Sequence, residues 1–158
     1  MIRTSLQLLA LLLLALPLGA QSLVVRRADG ADVTLDAARI ATLPRVSFEA
    51  ADHGTTKRFE GVEVAALLRA AEAGPVDSLR GAALRRALVF VGRDGYTGLI
   101  ALPELDTGLG ATRVYAVDRE NGAPLSAEHG PWRIVIVGDS RGARWVRQLM
   151  RIEVVQVR

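Results

Sequence analysis

A chain of 158 residues, half of them hydrophobic, is one domain's worth of material and is far too apolar to stay unfolded. Twenty basic residues stand against 17 acidic ones, and no basic stretch is interleaved with aromatics, which argues against a nucleic-acid surface. The chain has no cysteine, and that excludes disulfides, thiolate metal sites and a cysteine nucleophile together.

Residues 1–20 read as a secretory signal peptide. Arg3 supplies the positive start, an apolar run follows, and Pro17, Gly19 and Ala20 give a small-residue cleavage site. The apolar run is shorter than the roughly 20 residues a membrane span needs, so no membrane attachment is expected beyond the signal. A twin-arginine pair is absent, which points to export of an unfolded chain and a periplasmic or secreted location. Residues 21–158 are then a single domain.

Residues 23–27 and 32–35 read as two strands across an Asp29-Gly30 turn. Asp36 caps a short helical turn through Ile40. Residues 46–51 form a strand with Val46, Phe48 and Ala50 on one side. Asp52, His53 and Gly54 turn the chain, residues 55–60 return as a strand, and Gly61 ends it. In residues 62–73, Val64, Leu67, Leu68 and Ala71 recur at helical spacing, with Gly74-Pro75 as the stop. Residues 79–86 stay open between a helical turn and a loop. Strands at 87–91 and 96–101 flank an Arg93-Asp94-Gly95 turn, and 112–117 is another short strand.

The tail carries the densest pattern. Asn121-Gly122 and Gly130-Pro131 are turns. Residues 132–137 read as a strand, because Ile134, Val135, Ile136 and Val137 are β-branched, and a continuous apolar run of this kind suggests burial on both faces. Residues 138–142 are a loop with two glycines, followed by Arg144, Arg147 and Arg151 and a closing strand at 152–157. Main-chain N–H groups in such a loop, beside guanidinium forks, can cradle an anion. The same pattern also describes a surface turn with solvated arginines. Arg144 and Arg147 share a face on a helical turn and diverge on an extended chain.

Three linked segments carry a resemblance: N-G-A-P-L at 121–125, H-G-P-W-R-I-V-I-V-G at 129–138, and G-A-R-W-V-R-Q-L-M-R-I-E-V at 142–154. Together they resemble the C-terminal part of the sulfite-oxidase-type molybdopterin-binding domain, with its N-G-x-P-L, G-x-P-x-R-L-V-V-P-G and G-x-x-x-V-K-W-L-x-x-I. F-E-G-V-E-V-A-A-L-L at 59–68 is similar to that family's Y-x-G-V-P-L-x-x-L-L, and D-G-Y at 94–96 followed by P-E-L at 103–105 also fits. The likeness covers roughly residues 43–157. Val137 stands in place of a proline, Arg147 in place of a lysine and Gln148 in place of a tryptophan.

The resemblance implies an α+β fold, a mixed β-sheet or barrel-like structure with a few short helices. It implies an oxidoreductase in which molybdenum is held by a pterin dithiolene and one protein cysteine. Counting back from Gly54 places Asp52 at that cysteine's position. Asp52 is thus a candidate metal ligand, against the commoner role of a turn-capping aspartate; a carboxylate is a harder and less donating ligand than a thiolate. By the same resemblance Arg133, Arg141, Gly142, Arg144 and Arg147 are candidate cofactor-binding residues. His53 is a further cofactor-binding candidate, expected by the resemblance to line the cavity, since the family's topology brings the 52–54 turn and the loops near Gly138 together. His129 is expected exposed in its turn, Trp145 in the core or at a rim, and Asp94 and Tyr96 shaping a turn and filling the core.

The family's cofactor is molybdopterin, but the missing thiolate sets against it the expectation that none is bound. No residue is named as catalytic. The function expected is that of an exported, atypical or non-catalytic member of the family. The alternative is a cofactor-free periplasmic binding or accessory module, serving a small anionic or pterin-like ligand or a periplasmic redox partner.

Overall fold

Turn chemistry and side-chain alternation set the first elements of the computed structural model, which describes residues 21–158. The signal-peptide reading of residues 1–20 lies outside the described residues. Strands β1 (Leu23–Arg26) and β2 (Asp32–Leu35) pair antiparallel, with Leu23 opposite Leu35. Asp29 closes their turn by accepting the Ala31 N–H at 3.0 Å. Helix α1 (Ala37–Ala41) is capped as expected, Asp36 Oδ1 accepting the Arg39 N–H at 2.8 Å.

Strands β3 (Arg45–Asp52) and β4 (Thr55–Glu63) form a hairpin in which Asp52 faces Thr55. Val46, Phe48 and Ala50 turn the same, inner side of β3 toward the core. Gly61 does not end β4, as the sequence suggested; the strand runs through it. A Cβ on Gly61 would stand 2.2 Å from the Ala116 carbonyl oxygen, so glycine is what lets the next strand approach. Val62 and Glu63 therefore pair across the sheet, and helix α2 (Val64–Ala70) begins two residues later than the periodicity alone predicts. Its Val64, Ala65, Leu67 and Leu68 are buried.

The segment left open by sequence resolves as a 3-10 turn over Gly81–Arg85. Strands β5 (Arg86–Gly92) and β6 (Thr97–Ala101) follow as a hairpin, then β7 (Val114–Glu120), the short β8 (Ala123–Pro124), β9 (Arg133–Ile136) and β10 (Leu149–Gln156). All four residues of β9 are buried: Ile134, Val135 and Ile136 as their apolar run requires, and with them the charged Arg133.

These strands make two sheets. One has the order β2-β1-β10-β5-β6, with β1 parallel to β10 and the other pairs antiparallel. The other runs β3-β4-β7-β8, with β9 also pairing β7. The mixed sheets and short helices are as expected. Among the described residues the barrel-like closure is not seen: both sheets are open, with β2 and β6 at the edges of the first. Phe59, Phe90, Leu88, Ile100, Ile134 and Leu149 are all but sealed in the core. Each such side chain contributes about 1.5–3 kcal/mol relative to exposure. Among the described residues no helix is long and apolar enough to cross a membrane.

Candidate functional site

The tip of the β3–β4 hairpin brings Asp52 to the start of β9. The turn between them uses positive φ at His53 (50°) and Gly54 (80°), which leaves Asp52 as the last paired residue of β3. Arg133 opens β9, 81 residues further along the chain. Its Nη2 donates to Asp52 Oδ2 at 3.0 Å. Both residues are buried, Asp52 being 7% exposed and Arg133 5%.

Two more charges complete a network. Lys57 Nζ lies 3.6 Å from Asp52 Oδ2 and 2.9 Å from Glu120 Oε1. Glu120 Oε2 lies 3.7 Å from Arg133 Nη1. The Arg133 guanidinium sits 5.9 Å from the Phe59 ring centre and 5.3 Å from that of Trp145, so the two rings cover the charge with their π-faces and edges. Burial works to raise the Asp52 pKa. The hydrogen bond and charge of Arg133, helped by Lys57 and His53, outweigh it and hold the carboxyl below its ordinary value.

The network is not fully satisfied. Among the described residues, Asp52 Oδ1, Glu120 Oε2, Arg133 Nε and Nη1, and Trp145 Nε1 are buried without a hydrogen-bond partner. Native proteins leave few such atoms, and each calls for an explanation.

A cavity of about 520 Å³ opens above this floor. Asp52 and His53 reach it from the β3–β4 turn, Asp94 and Tyr96 from the β5–β6 turn. His129 and Arg133 line it from β9 and the segment before it, and Gly142, Trp145 and Arg147 from the loop after β9. Gly142 is placed directly over the floor: a Cβ there would stand 3.3 Å from Asp52 Oδ1 and 3.5 Å from the Trp145 ring.

The sequence-derived candidates divide. Asp52, His53, Arg133, Gly142 and Arg147 meet at the cavity. Arg141 and Arg144 do not line it. Arg141 is exposed, and Arg144 is held away by Asp139, with bonds of 2.6 and 3.2 Å. Only Gly142–Arg144 is a 3-10 turn, so Arg144 and Arg147 do not share a helical face; Arg147 pairs instead with Glu128 at 2.5 Å. Among the described residues no group of three histidine or acidic side chains is arranged to hold a metal ion around Asp52 or elsewhere.

Two expectations need correction. Tyr96 does not fill the core: it is half exposed, and its hydroxyl donates to the Ala143 carbonyl at 2.6 Å across the cavity rim. Asp94 does shape its turn, accepting the Tyr96 N–H at 2.9 Å. His129 is not an exposed turn residue; it is partly buried, and burial followed by the charge of Arg133 lowers its pKa below 6.5. Trp145 is buried and also lines the cavity. Sequence reasoning passed over Lys57 and Glu120. The available signal was that Lys57 is the chain's only lysine and lies on the strand returning from the Asp52 turn.

Comparison with known proteins came to the same family as the motifs. The family described as "Oxidoreductase molybdopterin binding domain" matches residues 30–158, extending the resemblance read over 43–157. No curated protein matches the chain. Among solved structures, the chain is similar to one in the crystal structure of the sulfane dehydrogenase SoxCD from Paracoccus pantotrophus, at 18% identity and a TM-score of 0.65. The match covers 85% of this chain and 38% of that one, so this chain spans well under half of that neighbour's length. At this identity the likeness is one of fold.

Proposed function

The chain belongs to the oxidoreductase molybdopterin binding domain family, and on that premise we propose that it is an exported, non-catalytic member that holds no molybdenum. The observation that carries this reading is the Asp52–Arg133 bond. Asp52 stands where the resemblance places the metal-ligating thiolate. Its Oδ2 is committed to Arg133 and Lys57, and its Oδ1 is buried beneath Gly142. A metal ion brought to this point would meet two positive charges and a hard carboxylate in place of a soft thiolate.

The other end of the cofactor fares no better. Of the arginines assigned to its phosphate, Arg141 and Arg144 lie off the cavity, Arg133 is already engaged by Asp52, and Arg147 reaches the cavity with its side chain half exposed. The residues present do not fit molybdopterin at its metal, and one of the four assigned cations is left for its phosphate. Export rests on the signal-like residues 1–20. The test is the molybdenum and pterin content of the protein purified from the periplasm or medium. We expect far less than one molybdenum per chain; one per chain overturns the proposal.

A second reading has support of its own. The cavity is within the size range of small-molecule sites, and Arg147 and two histidines reach it. Of the alternatives read from the sequence, these features favour a binding module for a small anionic ligand over a docking site for a redox partner.

A further inference from the structure

We propose that residues 138–143 form a lid on the cavity, hinged at Gly138 and latched shut by the Tyr96 hydroxyl. This rests on the reading of the cavity as a ligand site and concerns access to it. The first ground is how the segment is held. Gly142 and Ala143 line the cavity, with Asp94 and Tyr96 reaching it from the β5–β6 turn. Among the described residues, the main chain of 138–143 forms backbone hydrogen bonds only within three positions. The Asp139 N–H donates to the Ile136 carbonyl at 3.3 Å, and the Gly142 carbonyl accepts the Trp145 N–H at 2.9 Å. The Arg144 bonds to Asp139 stay within the same loop. One hydrogen bond ties the segment to a distant element: the Tyr96 hydroxyl donates to the Ala143 carbonyl at 2.6 Å, across 47 positions of chain. A segment with so few ties opens at low cost.

The second ground is where the segment can bend. Gly138 has a φ of 100°, and a Cβ there would meet nothing within 4 Å. Such a position takes up a change of backbone angle without collision. The far end is firmer. Arg144 is seated on β6, its carbonyl oxygen 2.9 Å from where a Cβ on Gly98 would stand. The moving part therefore ends before Arg144.

The third ground is a cost in the closed position. Gly142 lies over Asp52 Oδ1, a buried acceptor with no donor among the described residues. Lifting Gly142 lets water reach that oxygen, and this gain opposes the Tyr96 bond. One bond kept against one acceptor left dry is a near balance, the condition for two populated positions.

The test is NMR hydrogen exchange at two main-chain amides of the protein. The Trp145 N–H is bonded to Gly142, so it reports the lid. The Leu149 N–H is bonded to the Trp132 carbonyl at 2.8 Å and reports the body of the fold. Tyr96→Phe keeps the ring and removes the latch. It should speed exchange at Trp145 by about fivefold or more, the worth of one hydrogen bond, and leave Leu149 unchanged. Gly142→Ala, whose methyl crowds Asp52 Oδ1 at 3.3 Å, should act in the same direction. Unchanged exchange at Trp145 in Tyr96→Phe, or equal speeding at both amides, overturns the lid. Calorimetric titration of the parent with inorganic phosphate checks the ligand reading separately: absence of binding sinks the anion site, while the exchange pattern alone decides the lid.

Discussion

Replacing Arg133 by methionine isolates the buried ion pair. Methionine keeps an unbranched apolar stem between the Phe59 and Trp145 rings but removes the charge and the 3.0 Å bond to Asp52. Asp52 then has only Lys57, at 3.6 Å, as a close cation. Removing one member of a buried pair costs about 3–5 kcal/mol, because the other charge stays buried. Lys57 offsets part of this, so the expected loss is about 3 kcal/mol, or roughly 10 °C in Tm for a domain of this size. Urea and thermal unfolding at neutral pH measure it. The double variant Arg133→Met with Asp52→Leu removes both charges and should regain most of the loss. The pH dependence gives a second reading. In the folded protein Asp52 titrates below its ordinary 3.8. Its contribution is present above that value and is lost as pH falls through the lower, folded one. Without Arg133 that pKa rises and the acid limb moves to higher pH. A single variant within 1 kcal/mol of the parent, or a double variant no more stable than the single, refutes the reasoning.

His129 has its pKa lowered by burial and then by Arg133, so the fold prefers it neutral. Its contribution is present above pH 6.5 and is lost as pH falls below that value. His129→Gln should therefore shrink the drop in stability between pH 7.5 and 5.5; an unchanged drop in urea unfolding counts against it. Gly61→Ala places a methyl against the Ala116 backbone, which belongs to a paired strand and cannot swing aside. Overpacking costs typically 1–3 kcal/mol, and an obstacle of backbone puts this variant at about 3. A loss under 1 kcal/mol would show that the strands can part without penalty.

Local signals carried the hairpins, the cap at Asp36 and the buried β9, because each rests on neighbours within a few residues. The family was legible for a different reason: three segments in fixed order constrain more than any one of them. The Asp52–Arg133 pair was not legible, since its members are 81 residues apart and only the pairing of β3, β4, β7 and β9 joins them. Gly61 was misread because a glycine that admits a neighbouring strand looks, in one dimension, like a glycine that stops its own. Tyr96 and His129 were misplaced because a cavity rim gives an aromatic and an imidazole intermediate surroundings that hydropathy does not encode. Arg144 and Arg147 looked like a pair by spacing, but Asp139 and Glu128 draw them to different places.

The parallel pairing of β1 with β10 has a consequence for how the molecule is made. β10 follows every other described strand, yet it lies at the centre of its sheet. Until the ribosome has delivered it, the β1–β2 hairpin has no neighbour to dock on, and the β5–β6 hairpin lacks its inner flank. Such wiring delays closure of this sheet until β10 has been made.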